Sequence, residues 1–191
     1  MKKLIDPFRY FSGGATLAAG SAGMLLMVFL ALWSGATFRG VVSQGFGDLA
    51  FWRLLLQQVA GWGVFSLLLY GAALLFSRSK IRAVDIFGNQ ALARVPFLLI
   101  LIGSMVFPVL RMTKEMMSLT QEEILANVDL AGLTLFGFFA LAVLVWFFWW
   151  SYRGFVVAAN LRGGKAVAIY IVCYLLAEAA AGWCTAAIAS W

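Results

Sequence analysis

LAGLTLFGFFALAVLVWFFWW, residues 130–150, is an uninterrupted apolar run without one charged side chain. A helix rises about 1.5 Å per residue, so such a run reaches about 30 Å, the depth of a bilayer's hydrocarbon core. Four further runs have the same character: residues 15–37, 54–76, 92–110 and 166–191. The third is the shortest, and a re-entrant third segment is the alternative to a full crossing. The whole chain agrees with this reading. It is 64% hydrophobic and 12% charged over 191 residues, whereas a soluble domain is about half apolar and about a quarter charged. The expected fold is all-α: a single transmembrane domain over residues 1–191, an integral membrane bundle of five helices. Lys2 and Lys3 ahead of the first run resemble a signal peptide, and the run is read as a retained signal-anchor helix.

Five crossings put the chain ends on opposite faces. With the N-terminus inside and the C-terminus outside, the inner pieces are residues 1–14, 77–94 and 151–165. They carry Lys2, Lys3, Arg9, Arg78, Lys80, Arg82, Arg94, Arg153, Arg162 and Lys165. Only Arg39, Arg53, Arg111 and Lys114 fall outside. Ten against four obeys the positive-inside rule, so a net charge of +6 reads as orientation and not as nucleic-acid binding. Trp146, Trp149, Trp150 and Tyr152 mark the inner end of the fourth span. Trp33, Trp52 and Trp191 mark outer ends, at the headgroup depth that indole rings prefer. Trp62 and Trp183 sit deeper and read as groove fillers. Lys80, Arg82, Arg94, Trp149, Trp150 and Arg153 form the expected lipid interface.

The inner segment 77–94 alternates basic residues with Ile81, Val84, Ile86 and Phe87. It suits a helix lying on the inner leaflet or a solvated linker. Pro96 fits the first turn of the third helix. In the outer loop, TQEE at 120–123 is a capping box, and Met112, Met116, Met117 and Leu119 are placed to cover the bundle. Gly163-Gly164 turns the chain into the fifth helix. Gly-Gly-Lys there is not a phosphate-binding loop, because Ala166 stands where Ser or Thr belongs.

The chain has no histidine, which removes Ser-His nucleophiles, His-ligated haem and His-rich zinc sites. Cys173 and Cys184 lie eleven apart on one helix, too far to bridge. No cofactor or metal is expected. Glu178 is the one charge placed near mid-span. It reads either as a transport residue, with Gln57 and Gln58 lining a polar path, or as a neutral acid hydrogen-bonded through Ser66, Tyr70 or Ser104. Asn89, Gln90 and Asn160 line a path or reach the inner interface. Small residues recur every fourth position at Ala177, Ala181, Thr185 and Ala189 of the fifth helix, and at Ala15, Ala19 and Gly23 of the first. Both helices should pack closely, within the bundle or against a second copy or a membrane-protein partner.

Two inner segments resemble the Ypt-interacting-protein (Yip) family. One is VDIFGNQALARVPFLL at residues 84–99, a glycine-containing stretch leading into a proline-started helix. The other is residues 152–165, similar to the family's glycine-containing turn. The resemblance covers nearly the whole chain. It implies an integral membrane protein without catalytic residues, whose eukaryotic relatives act in vesicle traffic and bind small GTPases. Only residues 1–14 precede the first span, where those relatives carry a long acidic region, so a GTPase partner is not implied. The pattern looks more like a short bacterial member in the cytoplasmic membrane. The expected function is therefore non-enzymatic: organising the bilayer or scaffolding membrane partners, with lipid as the constant partner. The alternative is a small-solute or lipid transporter or scramblase component built on Glu178. An intramembrane enzyme is the weakest reading, for want of histidine, paired acids or a nucleophile motif.

Overall fold

The computed structural model describes residues 7–9, 13–106 and 130–190. Helix α1 runs over Gly14–Ser34, α2 over Phe51–Phe76, α3 over Ala83–Ala93, α4 over Phe97–Val106, α5 over Leu130–Ala159 and α6 over Gly163–Ser190. A short 3-10 turn, Pro7–Arg9, precedes them. Five stretches are long and apolar enough to cross a membrane: Gly14–Ser34, Phe51–Phe76, Ala83–Val106, Ala131–Ala159 and Gly163–Ser190. The protein is a multi-pass helical membrane bundle. The capping box, the methionine cover of residues 111–129 and the Trp191 anchor lie outside the described residues.

The third crossing differs most from expectation. It begins at Ala83, nine residues before the predicted start at residue 92. Residues 83–93 are neither a surface helix nor a linker. They form α3, which packs along α1 and also contacts α5 and α2. The segment Ala83–Val106 is the most enclosed of the five. Its backbone breaks over residues 94–96. Pro96 has no N–H to donate, and Val95, Phe97 and Leu98 bond to carbonyls only three residues back.

Close backbone approach explains why α3 sits centrally. A Cβ on Gly20 of α1 would strike the backbone of Ala91 and Leu92, and one on Gly88 of α3 would strike Thr16 and Gly13. The buried face of α1 is Thr16, Gly20, Met24, Met27, Val28 and Ala31. This is one position round from the predicted stripe, since Ala15 and Ala19 are exposed. In α6 the expected stripe holds: Ala177, Ala181 and Thr185 are buried, and α6 packs chiefly on α2. Ala189 is exposed.

Gly35, at φ 71°, ends α1 with its N–H on the Ala31 carbonyl. The chain then forms a feature that an all-helical reading omits. Strands β1, Ala36–Phe38, and β2, Gln44–Phe46, pair antiparallel in the register Ala36↔Phe46, Thr37↔Gly45 and Phe38↔Gln44. At the opposite end, Asn160 (φ 50°) and Gly163 (φ 71°) make the turn between α5 and α6. Asn160 Nδ2 donates to Ser79 Oγ at 2.9 Å, so the 77–82 and 160–162 connections share one end of the bundle.

Gly20→Leu is expected to lower stability by about 3 kcal/mol, because the added side chain would have to displace the Ala91–Leu92 backbone and the Ala91 Cβ. Ala19→Leu, one position round on an exposed face, should leave the unfolding temperature in detergent unchanged. Equal melting of the two variants would contradict the close α1–α3 contact.

Candidate functional site

The hairpin does not rest on top of the bundle. Its tip, residues 40–43, closed by Arg39 N–H on the Ser43 carbonyl (2.9 Å), meets α6 at Glu178. Glu178 lies twelve residues before the end of α6, about 18 Å along the helix. On α2 the tip meets Gly61, ten residues or about 15 Å from that helix's start. A Cβ on Gly61 would collide with the Gly40 carbonyl, and a Cβ on Gly40 with the Glu178 carboxylate. These two glycines are the space into which the tip inserts. The hairpin thus folds back between α2 and α6.

Non-helical backbone at this depth is tolerated only where protein groups satisfy it. Here the tip amides and the end of β1 have protein partners. Val41 N–H and Val42 N–H donate to Glu178 Oε2 at 2.9 and 3.1 Å. Ser43 N–H donates to Oε1 at 3.3 Å, and the Ser43 hydroxyl donates to the same oxygen. Three successive amides around one anionic group form a backbone nest. Phe38 N–H donates to Gln57 Oε1 at 3.2 Å, and Gln57 Nε2 passes the bond on to the Thr185 carbonyl of α6 (3.2 Å). Gln57 therefore clamps hairpin, α2 and α6 together.

Glu178 was expected to bond through Ser66, Tyr70 or Ser104 as a neutral acid. None of the three is its partner. Ser104 Oγ donates to Leu101 of its own helix at 2.7 Å. Tyr70 packs edge-on to Phe87. The Ser66 hydroxyl is buried with no hydrogen-bond partner among the described residues. Three of the groups bonded to Glu178 are backbone N–H donors, so the side chain accepts at both oxygens. The partners lie in a loop whose depth hydropathy alone does not reveal.

A second charge accompanies it. Arg94 was placed at the lipid interface, but it is 2% exposed, at the α3–α4 break. Its Nη1 donates to Gln58 Oε1 at 3.4 Å, and Glu178 attracts it electrostatically. Gln58 Nε2 in turn reaches Met27 Sδ of α1 at 3.5 Å. Arg94 Nη2 has no partner among the described residues. The cost of a charge in lipid argued for placing Arg94 outside; the bundle lowers that cost with an amide and a nearby carboxylate. Of the remaining interface residues, Lys80, Arg82 and Trp149 are exposed and Arg153 is half-buried. Trp150 is 7% exposed, with its ring edge-on to Phe8, and so faces protein. Trp183, read as a groove filler, is instead 84% exposed; Trp62 does fill a groove, donating to the Phe87 carbonyl at 3.1 Å.

Asn89 and Gln90 are clamps as well. Asn89 Nδ2 donates to the Gly154 carbonyl at 3.0 Å. Gln90 exchanges bonds with Ser151, its Nε2 on the carbonyl at 3.1 Å and the serine hydroxyl on its Oε1 at 2.6 Å. Both tie α3 to α5. Grooves flank the hairpin on either side. One, of about 610 Å³, is lined by Thr37, Arg39, Gln57 and Thr185; the other, of about 360 Å³, by Gln44, Phe97, Ser104 and Phe136. Among the described residues no three His, Cys, Asp or Glu side chains gather as metal ligands. Both cysteines are free. No known protein family, curated protein or solved structure matches the chain.

Glu178→Gln keeps the shape of the side chain but turns a donor toward the hairpin amides. Charge-assisted bonds contribute roughly 1.5–3 kcal/mol each. The substitution is expected to cost about 2–4 kcal/mol in detergent unfolding, well above Ser43→Ala at about 1 kcal/mol. A neutral Glu178→Gln would show that the hairpin tip does not depend on the carboxylate.

Proposed function

We propose that the protein is a non-enzymatic integral membrane protein of the Yip type, which organises the bilayer or scaffolds membrane partners. The observation that carries this reading is the use of Glu178. A carboxylate already holding three backbone amides and a hydroxyl is engaged in architecture. Gln57, Gln58, Asn89 and Gln90, the other residues suited to a polar path, also spend their amides on joining helices. The reading places the N-terminus inside and the C-terminus outside, in the cytoplasmic membrane of a bacterium. Relocation of Arg94 into the bundle leaves nine basic residues on the inner side against four outside, so the charge bias survives.

The transporter or scramblase reading has one observation in its favour. The groove of about 610 Å³ beside the hairpin reaches Gln57, one residue from the Gln58–Arg94 contact. The two readings separate in proteoliposomes. With purified protein and a proton-sensitive dye or a fluorescent lipid, the scaffold reading expects no flux above empty liposomes. Flux abolished by Glu178→Gln in protein that still folds would establish transport in its place. The orientation is tested independently: reporter fusions at Lys80 and Arg162 should both report the cytoplasm, and an outside signal at either would reverse the assignment.

A further inference from the structure

The groove of about 610 Å³ beside the hairpin has one cation and nothing to neutralise it. Thr37 and Arg39, two residues apart and so on the same face of the chain, border it on the hairpin side. Small residues of α6, Gly182, Ala186 and Ala189, form the opposite wall, and Phe46 and Leu49 add apolar surface. Among the described residues Arg39 is the only charged side chain of the lining. Its exposed guanidinium has no hydrogen bond, ion pair or ring contact with any of them, and the Thr37 hydroxyl likewise makes no hydrogen bond.

The arginine is nonetheless held in place. A Cβ on Gly45 would collide with Cδ, Nε and Cζ of Arg39, so the bare backbone of Gly45 is the bed on which this side chain lies. Gly45 pairs with Thr37, on the side of Arg39 away from the hairpin tip, so the guanidinium is directed away from Glu178. The Arg39 carbonyl stands 3.5 Å from where a Cβ on Gly182 would be. Gly182 lies eight residues before the end of α6, about 12 Å. Helix α6 has 28 residues, about 42 Å, and outreaches a hydrocarbon core of about 30 Å. The guanidinium therefore lies near phosphate depth, at the end of the bundle where α6 terminates. Trp183, next to Gly182, is 84% exposed, so α6 is open to lipid along the flank of the groove.

We infer that this groove holds the headgroup of one phospholipid, its phosphodiester on Arg39 and Thr37 and its acyl chains leaving along the exposed face of α6 past Trp183. Charge complementarity selects the occupant. Arginine presents a planar fork that matches two phosphate oxygens, and a phosphodiester brings the single negative charge that one arginine can balance. An inorganic phosphate would turn its remaining oxygens toward Phe46, Leu49 and the alanines, where nothing donates to them. In a lipid two of the four oxygens are already esterified, and one ester continues into hydrocarbon. With one arginine the site reads the phosphodiester and not the net charge of the headgroup, so zwitterionic and anionic lipids are both accepted. The volume falls within the range of about 300–1,000 Å³ usual for ligand pockets. The inference deepens the bilayer-organising reading above and rests on it, since this end of the bundle must lie at headgroup depth.

The test uses the full chain in mild detergent, offered phosphatidylethanolamine, phosphatidylglycerol or diacylglycerol with the same acyl chains, and counts retained lipid by native mass spectrometry. One phospholipid per chain should be held about 10-fold more strongly than diacylglycerol, whichever headgroup it carries. Arg39→Gln should abolish the difference, and Arg39→Lys should restore part of it. Ala186→Trp, which fills the groove and keeps the charge, should also remove the lipid. Brominated acyl chains should quench the fluorescence assigned to Trp183 by difference from Trp183→Phe, an arm that needs no arginine variant to fold. Equal retention of phospholipid and diacylglycerol, or a preference unchanged by Arg39→Gln, would overturn the inference. Displacement of the lipid by millimolar inorganic phosphate would also overturn it, by assigning the groove to a free anion. So would disulfide cross-linking of two chains through Ala186→Cys in a Cys173→Ala, Cys184→Ala background, because a second copy would then occupy the groove. Phospholipid preference with Lys80 and Arg162 reported outside would support the site and move it to the inner leaflet. Loss of the preference with both reported inside would overturn the site alone.

Discussion

Lipid offers no hydrogen bonds, so any backbone that leaves a helix inside the bilayer must find its partners in protein. The hairpin at residues 36–46 makes that constraint visible. Its tip presents three amides beside α2 and α6, well away from the ends of those helices, and Glu178 accepts all three. An unpaired carboxylate at that depth would be as costly as unpaired amides. Each group removes the other's penalty, which is why a charge and a loop, both unfavourable alone, occur together.

The same logic extends through the interior. Arg94 interrupts the third crossing where Pro96 already forbids a regular helix, so the break and the charge share one site. Gln58 contacts Arg94 and Met27, and Gln57 contacts Phe38 and Thr185. Two adjacent glutamines thereby reach in different directions round α2 and connect it to α1, α3, α6 and the hairpin. Farther along α3, Asn89 and Gln90 do the same toward α5. Polar side chains here specify which helices are neighbours, and small residues set how near they come.

Much of this was legible in the chain itself. Apolar runs marked all five crossings, because transfer free energy sums over about twenty residues and tolerates local error. Their ends were less exact where a charge intervened. The sequence reading puts boundaries at residues 92 and 150, yet α3 starts at Ala83 and α5 continues to Ala159. A scale that scores residues singly cannot register that Arg94 has Gln58 and Glu178 beside it. The hairpin was hidden for another reason. Strands of three residues are too short to show alternation, and Gly40 and Gly45 read as ordinary loop residues. Glu178 stood out as the acidic residue within the fifth apolar run, but its partners were sought on helices, where polar side chains were visible. Backbone amides carry no signature in the letters of a sequence.

The bond between Val41 and Glu178 joins positions 137 residues apart. At about 5–20 residues per second, synthesis of the intervening chain takes on the order of ten seconds. During that interval the nascent hairpin has emerged and its acceptor has not. The loop must wait at the membrane surface or in the company of the insertion machinery until α6 arrives. Helix α6 is thus the one that licenses the hairpin to sink, and a chain halted before α6 lacks the acceptor for the hairpin's amides.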